Sequence, residues 1–191
     1  MKKISVLFLF LAMGLTSLVS AETVYTEDTS WFIQINGDTS FPTGNLSTHA
    51  NQGWGGEGSL GYRFTHHTEI SLESGYDTFS GKNGVNTTWN MVPLIAKLQM
   101  GLGGDVIRPY GFVGAGAAFN SQSTTFGNFN GSNAEIDFLD ELGVGLSLIV
   151  TEKTSFFVQG KMEMDCTSSR YAGDQPTLLF PINVGMQFEL D

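Results

Sequence analysis

Residues 61–76 read GYRFTHHTEISLESGY, and the alternation on either side of the paired histidines decides the fold. Ahead of them Leu60, Tyr62 and Phe64 alternate with Ser59, Gly61 and Arg63. Behind them Ile70, Leu72 and Tyr76 alternate with Glu69, Ser71, Glu73 and Gly75. A period of two places successive side chains on opposite faces of an extended chain, so each half is a strand with one apolar and one polar face. Thr65-His66-His67-Thr68 is then the turn between them. Neighbouring side chains on extended backbone point opposite ways, so His66 and His67 cannot both ligate one ion. His49 falls in a loop expected at the other end, and no tetrahedral ligand set is expected.

The same period runs down the chain. Leu94, Ala96, Leu98, Met100 and Leu102 oppose Lys97, Gln99 and Gly101; Leu142, Val144, Leu146, Leu148 and Val150 oppose Glu141, Gly143, Gly145 and Ser147. Phe156, Val158, Met162 and Met164 oppose Gln159, Lys161, Glu163 and Asp165, and Phe180 to Leu190 repeats the pattern against Asn183, Gly185 and Gln187. Ser30 to Asp38 is a shorter first strand carrying Ile33 and Ile35, and Glu57 lies on the polar face of the second. Pro109 to Phe119 is small or apolar on both faces, so its facing is left open. Eight strands result. Three connections are short: residues 65–68, 103–108 and 151–154. Four are long and rich in Asn, Ser, Thr and Gly: residues 39–53, 80–89, 120–135 and 167–176. Short turns at one end and long polar loops at the other are the layout of a membrane barrel.

The chain begins with Lys2 and Lys3, an apolar run from Ile4 to Leu18, and the small residues Val19-Ser20-Ala21, which together read as a cleaved export signal over residues 1–21. Residues 22–191 form one domain. The formal charge is −10, and losing Lys2 and Lys3 takes it to −12. That balance argues against nucleic acid as a partner. The lone Cys166 excludes an intramolecular disulfide. Twenty-four glycines and 15 phenylalanines against five prolines suit an all-β chain.

Alternation does not say which face points inward. A soluble barrel fills its centre with the apolar face, and a membrane barrel exchanges the two. Both charge signs on the polar face favour the membrane form. Glu57, Glu73, Glu141 and Glu163 are available to pair with Arg63, Lys97 and Lys161 in a lumen just wide enough to be filled by side chains. Aromatic residues fall near strand ends, as the two interfaces of a bilayer would select. Trp31, Tyr62, Phe64, Tyr110, Phe112, Phe156 and Phe188 lie toward the short turns. Tyr76, Phe79, Trp89, Phe119, Phe138 and Phe180 lie toward the loops. The expected fold is an all-β, eight-stranded, antiparallel up-and-down transmembrane β-barrel, in which every backbone group finds a partner without water.

Five stretches carry a resemblance. They are GDTSFPTGNLS (37–47), LGYRF (60–64), RPYGFVGAGAAF (108–119), ELGVGLSLIVT (141–151) and LFPINVGMQFEL (179–190). In order and spacing the chain resembles the small outer-membrane β-barrel proteins of the OmpA/OmpX type. The resemblance implies the outer membrane of a Gram-negative cell, a periplasmic N-terminus and surface-exposed loops. It also implies recognition by the outer-membrane insertion machinery through a terminal aromatic. Here Phe188 and Leu190 keep the alternation, followed by Asp191. No appended periplasmic domain is expected after the last strand.

Catalysis is not expected. No G-x-S-x-G or phosphate loop occurs, and no strand histidine stands beside a serine nucleophile. Gly114-Ala115-Gly116 and Gly143-Val144-Gly145 read as small residues making room in the barrel. No cofactor is implied. The leading function is a monomeric structural or surface-interaction protein, embedded in outer-membrane lipid, meeting an unidentified partner through its long loops. The lumen charges would then be a plug. The alternative is a small pore for ions, water or small hydrophobic solutes, and a secreted ligand-binding barrel is a third reading.

Overall fold

Eight strands account for nearly all of the chain that the computed structural model describes, namely residues 29–44, 46–82, 86–104, 106–126, 129–165 and 177–190. The export signal expected at 1–21, Cys166 and the loop expected at 167–176 lie outside the described residues. The strands are β1 (Ser30–Pro42), β2 (Ala50–Thr65), β3 (Thr68–Gly81), β4 (Asn86–Gly101), β5 (Ile107–Phe126), β6 (Phe129–Thr151), β7 (Thr154–Asp165) and β8 (Thr177–Leu190). A single helical turn, α1 (Leu46–His49), precedes β2. Each strand pairs antiparallel with its sequence neighbour, and β8 returns to β1 from Trp31↔Leu190 to Pro42↔Leu179, closing the barrel. Closure removes every sheet edge, which is the condition for a β-structure to lie in hydrocarbon.

The histidine pair does form a tight turn. Gly101 N donates to His67 O at 2.7 Å, and Thr65 Oγ1 accepts from the backbone N–H groups of His67 and Thr68. The opposite end differs from expectation. Residues 120–126 and 129–135 are not loop but paired strand, continuing from Phe119↔Ile136 to Phe126↔Phe129. Residues 39–42, 50–53 and 86–89 are likewise strand. The long loops therefore contract, and β5 and β6, at 20 and 23 residues, carry a ribbon past β7, while β4 follows β5 as far as Asn86↔Thr125. At residues 131–134 every side chain is exposed, so the sequence there loses the apolar mark of a strand while the hydrogen-bond ladder continues.

The apolar stripe faces outward. Leu98, Val144 and Val184 are 40%, 70% and 59% exposed, on the barrel's outer wall rather than at its centre. Trp31, Tyr62 and Phe64 stack edge to face along one end, with ring centroids 5.2 and 5.1 Å apart. The belts need correction at four positions. Tyr110 and Phe112 point into the lumen, which settles the facing of β5; Phe79 is buried inside; Trp89 packs against the interior apolar cluster. Trp54 and Phe41 stand on the outer wall at the loop end instead.

The interior aromatics obey a rule. Phe32, Phe79, Tyr110, Phe112 and Phe157 stand directly opposite Gly61, Gly53, Gly145, Gly143 and Gly185 on neighbouring strands. A Cβ on any of these glycines would collide with the partner ring. The ring occupies the space the missing side chain leaves. Gly143→Val should therefore lower stability by about 1–3 kcal/mol through overpacking against Phe112. Urea unfolding in detergent checks this, and Phe112→Leu in the same chain should restore part of the loss.

Candidate functional site in the barrel lumen

Strand parity brings the inward charges together, and strand register decides which ones meet. Lys161 of β7 is the centre. Its Nζ lies 2.5 Å from Glu57 Oε1, 3.1 Å from Glu73 Oε1, 2.9 Å from Glu163 Oε1 and 3.5 Å from Glu141 Oε2. Lys97 Nζ lies 2.5 Å from Glu73 Oε2 and 5.1 Å from the centre of the Phe112 ring. Glu73 thus bridges the two ammonium groups. Glu141 and Glu163 are direct register partners, like charges side by side, held by one lysine between them. Glycines make the space. A Cβ on Gly75 would stand 2.6 Å from Glu57 Cγ, and one on Gly114 2.6 Å from Glu141 Cγ. All six side chains are buried, so each charge has lost its water and relies on its partners.

Arg63 is not part of this cluster. It belongs to a second group toward the short turns, with Nη2 2.6 Å from Glu69 Oε1 and Nη1 on Glu189. Gln99 and Gln187 also donate to Glu69, at 3.0 and 3.4 Å. Between the two groups lies a layer of Tyr110, Phe112 and Phe157, with Tyr110 Oη donating to Gln159 Oε1 at 3.1 Å. Glu69 and Glu189, and the buried acids Asp38, Asp77 and Asp137 nearer the loops, are absent from the expected network. Parity marked some of them: Glu69, Glu73 and Asp77 share one face of β3. Among these acids, Phe79, Met91, Leu139 and Leu179 form an apolar collar around a cavity of about 60 Å³, with Glu163 in its wall.

A closed eight-stranded ring with apolar side chains outside and ion pairs inside defines a membrane barrel. The chain belongs to the outer membrane protein beta-barrel domain family, whose pattern matches residues 8–159. The protein accordingly resides in the cell outer membrane. Among solved structures it is similar to Neisserial surface protein A, at 14% identity and a TM-score of 0.63, covering 86% of this chain and 100% of that one. It is also similar to the outer membrane protein AlkL in lipid bilayers, at 12% identity and a TM-score of 0.55, covering 90% and 94%. A third likeness is to the outer membrane protein OprG of Pseudomonas aeruginosa, at 12% identity and a TM-score of 0.51, covering 86% and 97%. At such identities these are likenesses of fold. No curated protein matches the chain in sequence.

Proposed function

We propose that the protein is a plugged, monomeric outer-membrane barrel whose role is structural or surface-interacting, exercised at its loop end. One observation carries this reading: Lys161, wholly buried, ties carboxylates from four strands across the lumen. A continuous water path would have to break that group and leave buried charges unpaired, at a cost of several kcal/mol. The aromatic layer on one side and the apolar collar on the other add to the obstruction. The β5–β6 ribbon is the feature offered outward, with Ser121, Ser123 and residues 131–134 exposed. Its polar side chains suit adaptable hydrogen bonding to a partner rather than a preformed pocket.

Planar-bilayer recording with purified protein tests the plug. The expected result is no steady unitary conductance. A reproducible conductance would instead support the narrow-pore reading, in which the ion pairs line a path rather than block one. Shortening the ribbon by removing residues 122–133 should leave the heat-dependent gel mobility of the folded barrel intact, since the membrane-crossing ladder does not depend on it.

A further inference from the structure

We propose that Asp38, Glu57 and Asp77, with the side-chain oxygen of Asn183, bind one divalent cation of calcium's class inside the barrel. Asp38 of β1 and Asp77 of β3 meet across β2, because Gly55 is the register partner of both. A Cβ on Gly55 would collide with the Asp77 carboxylate, so a glycine there is what lets the two acids approach. Glu57 follows two residues along the same face of β2. One oxygen from each of the three carboxylates lies within 4.8 Å of the others. Calcium holds oxygen ligands at about 2.3–2.6 Å, so two ligands of one ion stand at most about twice that far apart. The spacing fits a single ion.

Three carboxylates alone would be only a source of repulsion. Asn183 adds the independent mark of a ligand. It is completely buried and stands opposite Asp38 in the β1–β8 register. Its Nδ2 donates to Glu57 Oε2 at 2.8 Å and to Asn36 Oδ1 at 3.0 Å, while its Oδ1 has no hydrogen-bond partner. An amide holds its oxygen beside its nitrogen, so this unmet neutral acceptor sits at the same corner as the acids. Asp38 Oδ2 and Asp77 Oδ1 are also unmet. Buried acceptors left unmatched are costly, and carboxylates joined by a carbonyl oxygen are a hard-cation set.

The charge balance points the same way. Leaving aside Glu69, which Arg63 holds, seven buried carboxylates face two buried ammonium groups among the described residues. Lys161 and Lys97 serve Glu57, Glu73, Glu141 and Glu163, which leaves Asp38, Asp77 and Asp137 without a cation of their own. Asp137 accepts from Asn120 Nδ2 at 2.7 Å, and Asp38 and Asp77 meet at the proposed site. A doubly charged ion supplies one. Magnesium, which keeps several waters in a strict octahedron, suits this enclosed corner less well, and the site offers no nitrogen or sulfur to a softer metal.

The test uses the full folded chain in a neutral glucoside detergent free of phosphate and lipopolysaccharide, stripped with a chelator. Calcium chloride is titrated by calorimetry at neutral pH. Folding is verified by heat-dependent gel mobility. The expected result is saturable uptake of one calcium per chain, with magnesium weaker by about tenfold or more. Asp38→Asn and Asp77→Asn should each weaken calcium by a similar factor, and Glu152→Gln, in an exposed turn, should leave it unchanged. Folded wild-type protein that takes up no calcium overturns the proposal and assigns the surplus charge to bound protons. Unchanged affinity in both aspartate variants overturns it as well. Should those variants not fold, Asn183→Ala, which removes the neutral ligand and its two donated hydrogen bonds but keeps all three carboxylates, decides by the same titration: weakening supports the site, and unchanged affinity overturns it.

Discussion

Replacing Lys161 with methionine should lower the unfolding free energy of the barrel by about 3–5 kcal/mol, the usual loss when one partner of a buried ionic group is removed. Methionine fills much the same volume, so the effect is electrostatic rather than a cavity. Four carboxylates lose their shared cation, and Glu141 and Glu163, direct neighbours across β6 and β7, are left to repel one another. Lys97→Met should cost less, because Lys97 forms its ion pair with Glu73, and Glu73 keeps Lys161. The two variants are compared by their urea midpoints in lipid vesicles. The deficit of Lys161→Met should narrow as pH falls, since protonation neutralises the stranded carboxylates. Adding Glu57→Gln and Glu163→Gln should recover part of it at neutral pH. Equal midpoints for wild type and Lys161→Met would show that the cluster contributes nothing to holding the barrel closed.

Val144→Arg tests the outer wall with an effect nearly as large. Val144 is 70% exposed and lies seven positions before Thr151, where β6 ends at a short turn. With a rise of about 3.3 Å per residue along an inclined strand and an apolar band about 25 Å tall, that places it near the middle of the bilayer. A charge there costs about 2–4 kcal/mol and one near the interface about 0–1 kcal/mol. Ile136→Arg, at 65% exposure eight positions farther toward the ribbon, should therefore fall in the smaller class. In a barrel that faced water the two would be equally mild. Unfolding from vesicles reads the difference, and equal midpoints would count against the membrane orientation of β6.

The part of the fold that spans lipid was legible because two different solvents touch the two faces of each strand. Leu98, Val144 and Val184 on one face and Lys97, Glu141 and Lys161 on the other are written by that contrast. Where both faces are exposed, as at residues 131–134, alternation fades and paired strand resembles loop. The facing of β5 was hidden for a different reason. Its outward Ala115 and Ala117 are as small as its inward Gly114 and Ala118, and only its partners on β6 show that Tyr110 and Phe112 turn inward. In the candidate site, parity gives the face but not the height. Glu57 and Lys161 lie 104 residues apart in sequence and touch, whereas Arg63, six positions from Glu57, belongs to another layer. The acids Asp38 and Asp77 become neighbours only once β1, β2 and β3 are aligned at Gly55.

The ring-over-glycine pairs give the molecule a check on alignment that the greasy stripe cannot supply. Sliding one strand by two positions keeps every apolar residue toward lipid, so the bilayer would tolerate the mistake. The interior would not. In the correct setting Tyr110 covers Gly145 and Phe112 covers Gly143. Moved two positions one way, Tyr110 lands on Ser147; moved the other way, Phe112 lands on Glu141. Either error forces a ring onto a side chain, so a misthreaded hairpin is disfavoured by shape, and the vacancies at Gly143 and Gly145 work as a lock that admits one key setting.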